Sequence, residues 1–159
     1  MNTKPIFLSL VFSLFVVTSV ATTQPSSAIE PKTGPAAFGQ GEFTFNNELI
    51  SFKFEAQANQ KNHARGRAVF DNLSTQSQVV VKIDCLRVDS FEALITGTVL
   101  HSDDPDFPKL TDVIFAASDG QGIRPDTATP LFVSPFPDCN TGASPLTIFE
   151  VDNIVIQPS

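Results

Sequence analysis

The chain contains no tryptophan and no tyrosine. Those two rings join apolar area to a hydrogen-bonding tip, which is why binding surfaces favour them. Their absence argues against a lectin-like stacking platform. Histidine and cysteine are nearly as scarce, with two of each. The four residues, His63, His101, Cys85 and Cys139, are scattered, with neither C-x-x-C nor H-x-x-x-H, so the close spacing of a zinc site is missing. No G-x-S-x-G occurs, and both histidines fall in polar stretches that read as loops. A nucleophile–base–acid set of the hydrolase kind is therefore not visible. A cysteine nucleophile would need a free thiol, and Cys85 falls on a core-facing position in the alternation of its segment. The reading is a domain that is not an enzyme and uses no cofactor.

Positive charge is also in short supply. Ten Lys and Arg face 17 Asp and Glu, for a net charge of −7. An acidic domain repels polyphosphate, so nucleic acid and anionic membrane are poor partners. Helical periodicity is absent: after the N-terminus no window repeats apolar residues at i, i+3, i+4 and i+7 over three turns.

Long apolar runs are missing except at the start. Lys4 precedes Pro5 to Val17, PIFLSLVFSLFVV. A basic residue followed by an apolar run of this length is the pattern of a secretory signal peptide. It falls short of the roughly 20 residues that span a bilayer, and no later stretch is long and apolar enough to do so. Ser19-Val20-Ala21 places small residues where a signal peptidase reads, which predicts cleavage after Ala21, with Ser26-Ser27-Ala28 as the alternative. No Cys follows the run, so the lipoprotein route is closed. Cleavage removes 21 of the 159 residues, and loss of Lys4 takes the charge from −7 to −8. The expected organisation is a signal peptide over residues 1–21, a flexible leader rich in Thr, Ser and Pro over 22–38, and one domain over 39–159. The expected location is secreted or periplasmic. In such a compartment an even pair of cysteines predicts a disulfide, Cys85 to Cys139. Closing that loop of about 55 residues would stabilise the fold by about 4 kcal/mol.

What is plentiful is phenylalanine, 15 in all, together with two-residue alternation. Ile50, Phe52, Phe54 and Ala56 alternate with Ser51, Lys53 and Glu55, a half-buried strand. Phe43 and Phe45 alternate before it, and Asn46-Asn47 joins the two as a hairpin. Further strands are expected around Gly66–Phe70, Val79–Cys85, Ala93–Val99, Val113–Ala117, Leu131–Val133, Leu146–Phe149 and Ile154–Ile156. Gly97 in mid-strand marks a bulge or the close approach of another backbone. Pro130, Pro135 and Pro137 put the Leu131–Val133 strand at an edge. Gln121 to Thr129 reads as a polar loop. Short strands with regular turn signals imply an all-β fold, an antiparallel β-barrel or β-sandwich of about eight strands.

Two acidic stretches are candidates for calcium, because clustered carboxylates repel one another and favour a cation. One holds Asp103, Asp104 and Asp106, the other Asp119 and Asp126. Neither follows the twelve-residue helix–loop–helix pattern, and a pair of solvated acidic turns explains them as well. Asn72-Leu73-Ser74 is a formal glycosylation sequon.

Several segments together resemble a known group of sequences. They are Gly39-Gln40-Gly41 with Phe43 and Phe45, ISFKFEA (Ile50 to Ala56), the Gly66 strand, VKIDCLRVDSFEALITGTV (Val81 to Val99), ASDGQG with Asp126, and DNIVIQ (Asp152 to Gln157). From Gly39 onward the chain resembles a family of small exported bacterial all-β domains with no established activity. The segment from Cys85 to Val99 carries most of the likeness. The last strand begins Asp-Asn-Ile where that family often has Gly before Asn-Ile. The resemblance implies fold and export and carries no catalytic residues.

Three readings of function follow. The first is an exported, non-catalytic domain that binds a protein or serves a structural role through loops such as Ser102 to Lys109 and Gly120 to Thr129. The second is a barrel-type carrier of a small apolar ligand, with phenylalanines lining a cavity. The third is an unrecognised hydrolase that uses His63 or His101.

Overall fold

The computed structural model describes residues 34–59, 61–134, 138–140, 145 and 147–158. The predicted signal peptide, its cleavage sites and most of the leader lie outside the described residues.

The first six strands form a meander, each antiparallel to the next. They are β1 (Ala36–Phe45), β2 (Glu48–Ala58), β3 (Ala64–Asn72), β4 (Ser77–Asp89), β5 (Glu92–Ser102) and β6 (Asp112–Ser118). The β1–β2 connection is two residues, Asn46 and Asn47, at φ of 53° and 65°. Positive φ at both central residues is the turn whose twist matches a hairpin, and Asn tolerates it. The hairpin read from the sequence is therefore present.

Four short strands complete the wall: β7 (Asp126–Ala128), β8 (Phe132–Val133), β9 (Phe149–Val151) and β10 (Ile154–Gln157). β7 and β8 both pair with β6, at its two ends. β9 pairs with β7, and β10 pairs with β1. Asn153, at φ 61°, bends the chain between β9 and β10, so one terminal segment passes from the β7 edge to the β1 edge. The expected all-β antiparallel fold is thus a nearly closed barrel. The stretch expected to be a polar loop, 121–129, carries β7. A three-residue strand with one buried apolar residue, Ala128, is too short to show a period. The Leu131–Val133 strand is at an edge as expected: β8 pairs with β6 alone.

Alternation decides what faces in. Phe43, Phe52, Phe54, Phe70 and Phe115 form one buried cluster with Ala37, Ala56, Ala68, Val81, Ile83 and Ile95. The rings pack stacked or edge-on, for example Phe70 on Phe115 with centroids 5.3 Å apart and Phe54 on Phe115 at 5.4 Å. Such pairs add to the gain from burial alone.

The alternation that places Cys85 on the core side fails at Asp84. Ile83 pairs with Gly97 and Cys85 with Thr96, which leaves Asp84 as an extra residue on β4. This bulge shifts the phase by one, so Leu86 joins the barrel core while Cys85 turns to the outer face. Gly97 lies directly opposite. A Cβ there would sit 2.2 Å from the Lys82 carbonyl oxygen, so both readings of this glycine, bulge and close approach, apply.

The two ends of the barrel are built differently. The end bearing the β1–β2 turn, here the mouth, also carries the β3–β4 turn and the β5–β6 loop. Its inward positions are filled by Phe43, Phe45, Phe70 and Phe149. The far end is lined by Ala37, Ala56, Ala58, Ala93, Ala117 and Ala128.

Candidate functional site

The mouth holds a cavity of about 380 Å³. Its floor is Phe43, Phe70, Val79 and Leu131, and its sides are Phe45, Ile50, Phe107 and Phe132. Phe43 stacks on Phe149 at 5.0 Å, and Phe45 meets Phe132 and Phe149 edge-on at 6.4 and 6.0 Å. Asn46, Glu48, Asn72, Ser77, Asp104 and Asp106 form the polar part of the lining. The size is at the small end of the range for ligand sites, about 300–1,000 Å³, which are mostly apolar with a few polar groups.

Phe107 reaches the cavity because its loop is tied down. Asp103 N–H donates to the Gln78 carbonyl, Phe107 N–H to the Asp104 carbonyl, and Leu110 N–H to the Val99 carbonyl. The Ser102 hydroxyl and Asp104 exchange two further bonds, and Asp106 N–H donates to Asp104 Oδ1 at 2.9 Å. Opposite, Asn72 is nearly buried. Its Nδ2 donates to Glu48 Oε2 at 2.7 Å, while its Oδ1 accepts from the Ser74 and Thr75 N–H groups. The amide of the sequon is therefore engaged in holding the β3–β4 turn against β2.

The acidic residues that the sequence singled out are placed as follows. Asp103 lies 3.4 Å from His101 Nε2 on the surface. Asp104 and Asp106 are on the mouth loop. Asp119 and Asp126 are at the far end, where their carboxylates accept backbone N–H groups. Asp126 Oδ1 takes Gly120 N–H at 2.9 Å and its Oδ2 takes Ile154 N–H at 2.7 Å. Asp119 takes Gln121 N–H at 2.8 Å and Ile156 N–H at 3.3 Å. Ile154 and Ile156 are alternate residues of β10, so their N–H groups point to one edge of that strand. Two carboxylates thus serve the β10 edge where a further strand would otherwise pair.

His63 and His101 are not brought together. His63 is bridged to Cys85 and His101 pairs with Val80. Both are exposed. Cys85 is bonded to Cys139, with Cα atoms 5.7 Å apart. Cys139 is fully buried, and with Cys85, Leu94 and Ile114 it forms a second small core outside the barrel wall, against which Ala116 and Phe132 pack. Asn140 is held by Asn62 Nδ2 on its Oδ1 and by Arg87 Nη1 on its carbonyl. Among the described residues, the one group of three ligand-type side chains that converges is Cys85, Asp138 and Cys139. Its two sulfurs are already bonded to each other.

A second hollow, of about 740 Å³, runs along the outer wall between β1 and the β9–β10 bend. It is larger, but Glu42, Lys53, Asp71, Glu150 and Asp152 line it, and it lacks the enclosing apolar wall of the mouth. The mouth is the better candidate site.

No protein-family model, curated protein or solved structure matches the chain.

Residue alternation missed the mouth because Phe107 and Phe132 lie in a loop and a two-residue strand, where no period exists. A usable signal was present in Asp106-Phe107-Pro108: a large ring in an otherwise polar loop needs somewhere to bury.

Proposed function

We propose that this is an exported, non-catalytic binding module that carries a small apolar ligand at the barrel mouth. The observation that supports it is the cavity of about 380 Å³ with Phe43, Phe45, Phe70, Phe107 and Phe132 in its walls. The barrel interior below is filled with side chains, so the ligand belongs at the mouth and not along the barrel axis. Export is supported by the signal-like N-terminus and by the Cys85–Cys139 bond, which an oxidising compartment maintains. The non-catalytic reading is supported by the separation of the two histidines and by the absence of a free thiol.

The missing tryptophan makes the test clean. Phe107→Trp gives the chain a single indole at the mouth, and Phe91→Trp gives one at the far-end β4–β5 turn. Titration with 1-octanol is expected to shift the emission of the mouth variant saturably and leave the far-end variant unchanged. No saturable change at position 107, or equal changes at both positions, would refute the proposal.

A further inference from the structure

The polar side of the mouth is one-sided in charge. Glu48, Asp104 and Asp106 line it, and among the described residues no Lys, Arg or His does. Its one nearly buried amide, Asn72, has a donor hydrogen committed to Glu48 and its oxygen committed to the turn. The other polar lining groups are neutral. Carboxylates beside aromatic rings with no competing cation are the chemistry that receives an ammonium group. The ring faces attract a cation through their quadrupole, and the carboxylates add a direct charge attraction. A net charge of −7 on the whole chain favours the approach of cations as well.

Building on the carrier reading above, we propose that the ligand class is a small cationic amphiphile, with an alkyl or aryl tail against the phenylalanines and an ammonium head between Glu48 and Asp106. An anionic amphiphile, such as a fatty acid, would place its carboxylate against three others and binds more weakly than a neutral one of the same tail. The partial exposure of the rim keeps the preference moderate, because exposed charge pairs are screened.

Three probes of one tail length separate the parts: octyltrimethylammonium, 1-octanol and octanoate, each titrated calorimetrically into the wild-type protein at pH 7. Octyltrimethylammonium is expected to bind about three- to tenfold tighter than octanol, and octanoate more weakly than octanol. In about 1 M NaCl the ammonium-to-octanol affinity ratio is expected to fall toward one, since the screening length there is about 3 Å. Glu48→Gln combined with Asp106→Asn should collapse the ratio in the same way. The amide introduced by Glu48→Gln keeps an oxygen for Asn72 Nδ2, so the turn is retained, and a thermal melt checks it. Octanoate binding as tightly as the ammonium would overturn the head-group inference and leave the apolar carrier standing. A ratio untouched by salt and by both substitutions would do the same. Failure of all three probes to bind would overturn the carrier reading along with it.

Discussion

The two ends of this barrel solve closure by different means. At the far end β1 and β10 form a ladder from Ala36↔Gln157 to Gly39↔Ile154, and Asp119 and Asp126 serve the opposite edge of β10. Hydrogen bonds have narrow distance and angle ranges, so they fix the perimeter. The interior there is closed by alanines together with Leu86, Ile154 and Ile156, and a Cβ on Gly39 would lie 2.3 Å from Ile154 Cδ1, so there is no room for a guest. At the mouth the second half of β1 meets β9 and β8 through rings, Phe43 on Phe149 and Phe45 against Phe132 and Phe149. Ring packing is non-directional by comparison and tolerates small changes of perimeter. One end is held in register by hydrogen bonds, and the other leaves a cavity of about 380 Å³ among its rings.

The largest effect is expected from the cross-link that ties the two together. Cys139 follows the mouth wall of β8 and is fastened to β4, and Phe132 rests on the same small core. The double variant Cys85→Ser, Cys139→Ser should lose about 4 kcal/mol of stability in urea unfolding, on the loop-entropy estimate. Amide exchange in this variant should accelerate first at β8 and β6 and last along the β1–β10 ladder. Uniform acceleration at both ends would break the comparison, since it would mean that the barrel opens as one unit.

A smaller effect is expected from the carboxylates of the far end. Asp126→Ala removes the acceptor of both Gly120 N–H and Ile154 N–H, two partly buried donors, and should cost about 2 kcal/mol. Asp119→Ala should cost about half as much, because its bond to Ile156 N–H is longer, at 3.3 Å. In both variants the amides of Ile154 and Ile156 should exchange faster while octanol affinity at the mouth is retained. Loss of affinity in either would show that perimeter strain passes from end to end, and that the mouth is not an independent region.

What the sequence made legible follows from range. The Asn46-Asn47 hairpin and the Ile50–Ala56 alternation are local, and they read directly. The disulfide needed only a count and a compartment. The bulge at Asp84 was legible only from the other side, through Gly97, because an inserted residue leaves no composition signal of its own. Closure could not be read at all: Ala36 pairs with Gln157 across nearly the whole domain, and no window spans that. The acidic stretches drew attention for their charge, yet Asp119 and Asp126 act as backbone acceptors. At the mouth the ring beside the aspartates matters as much as the aspartates do.

Phe107 offers the finest division between holding shape and holding contents. It is only partly buried and packs on the barrel core from a loop whose own hydrogen bonds use its backbone and not its ring. Phe107→Ala should therefore cost about 1 kcal/mol or less of stability, well under the roughly 3–5 kcal/mol usual for a fully buried phenylalanine. The same change removes one wall of the cavity and should weaken octanol binding by about tenfold, the equivalent of about 1.4 kcal/mol of lost contact. Urea unfolding and calorimetry on one preparation measure both quantities. A large stability loss would make Phe107 a core residue reached by an unusual route, and the mouth would then be packing that is incompletely filled. A small stability loss with a large affinity loss places the ring where the comparison of the two ends puts it, in the part of the barrel that is free to serve a ligand.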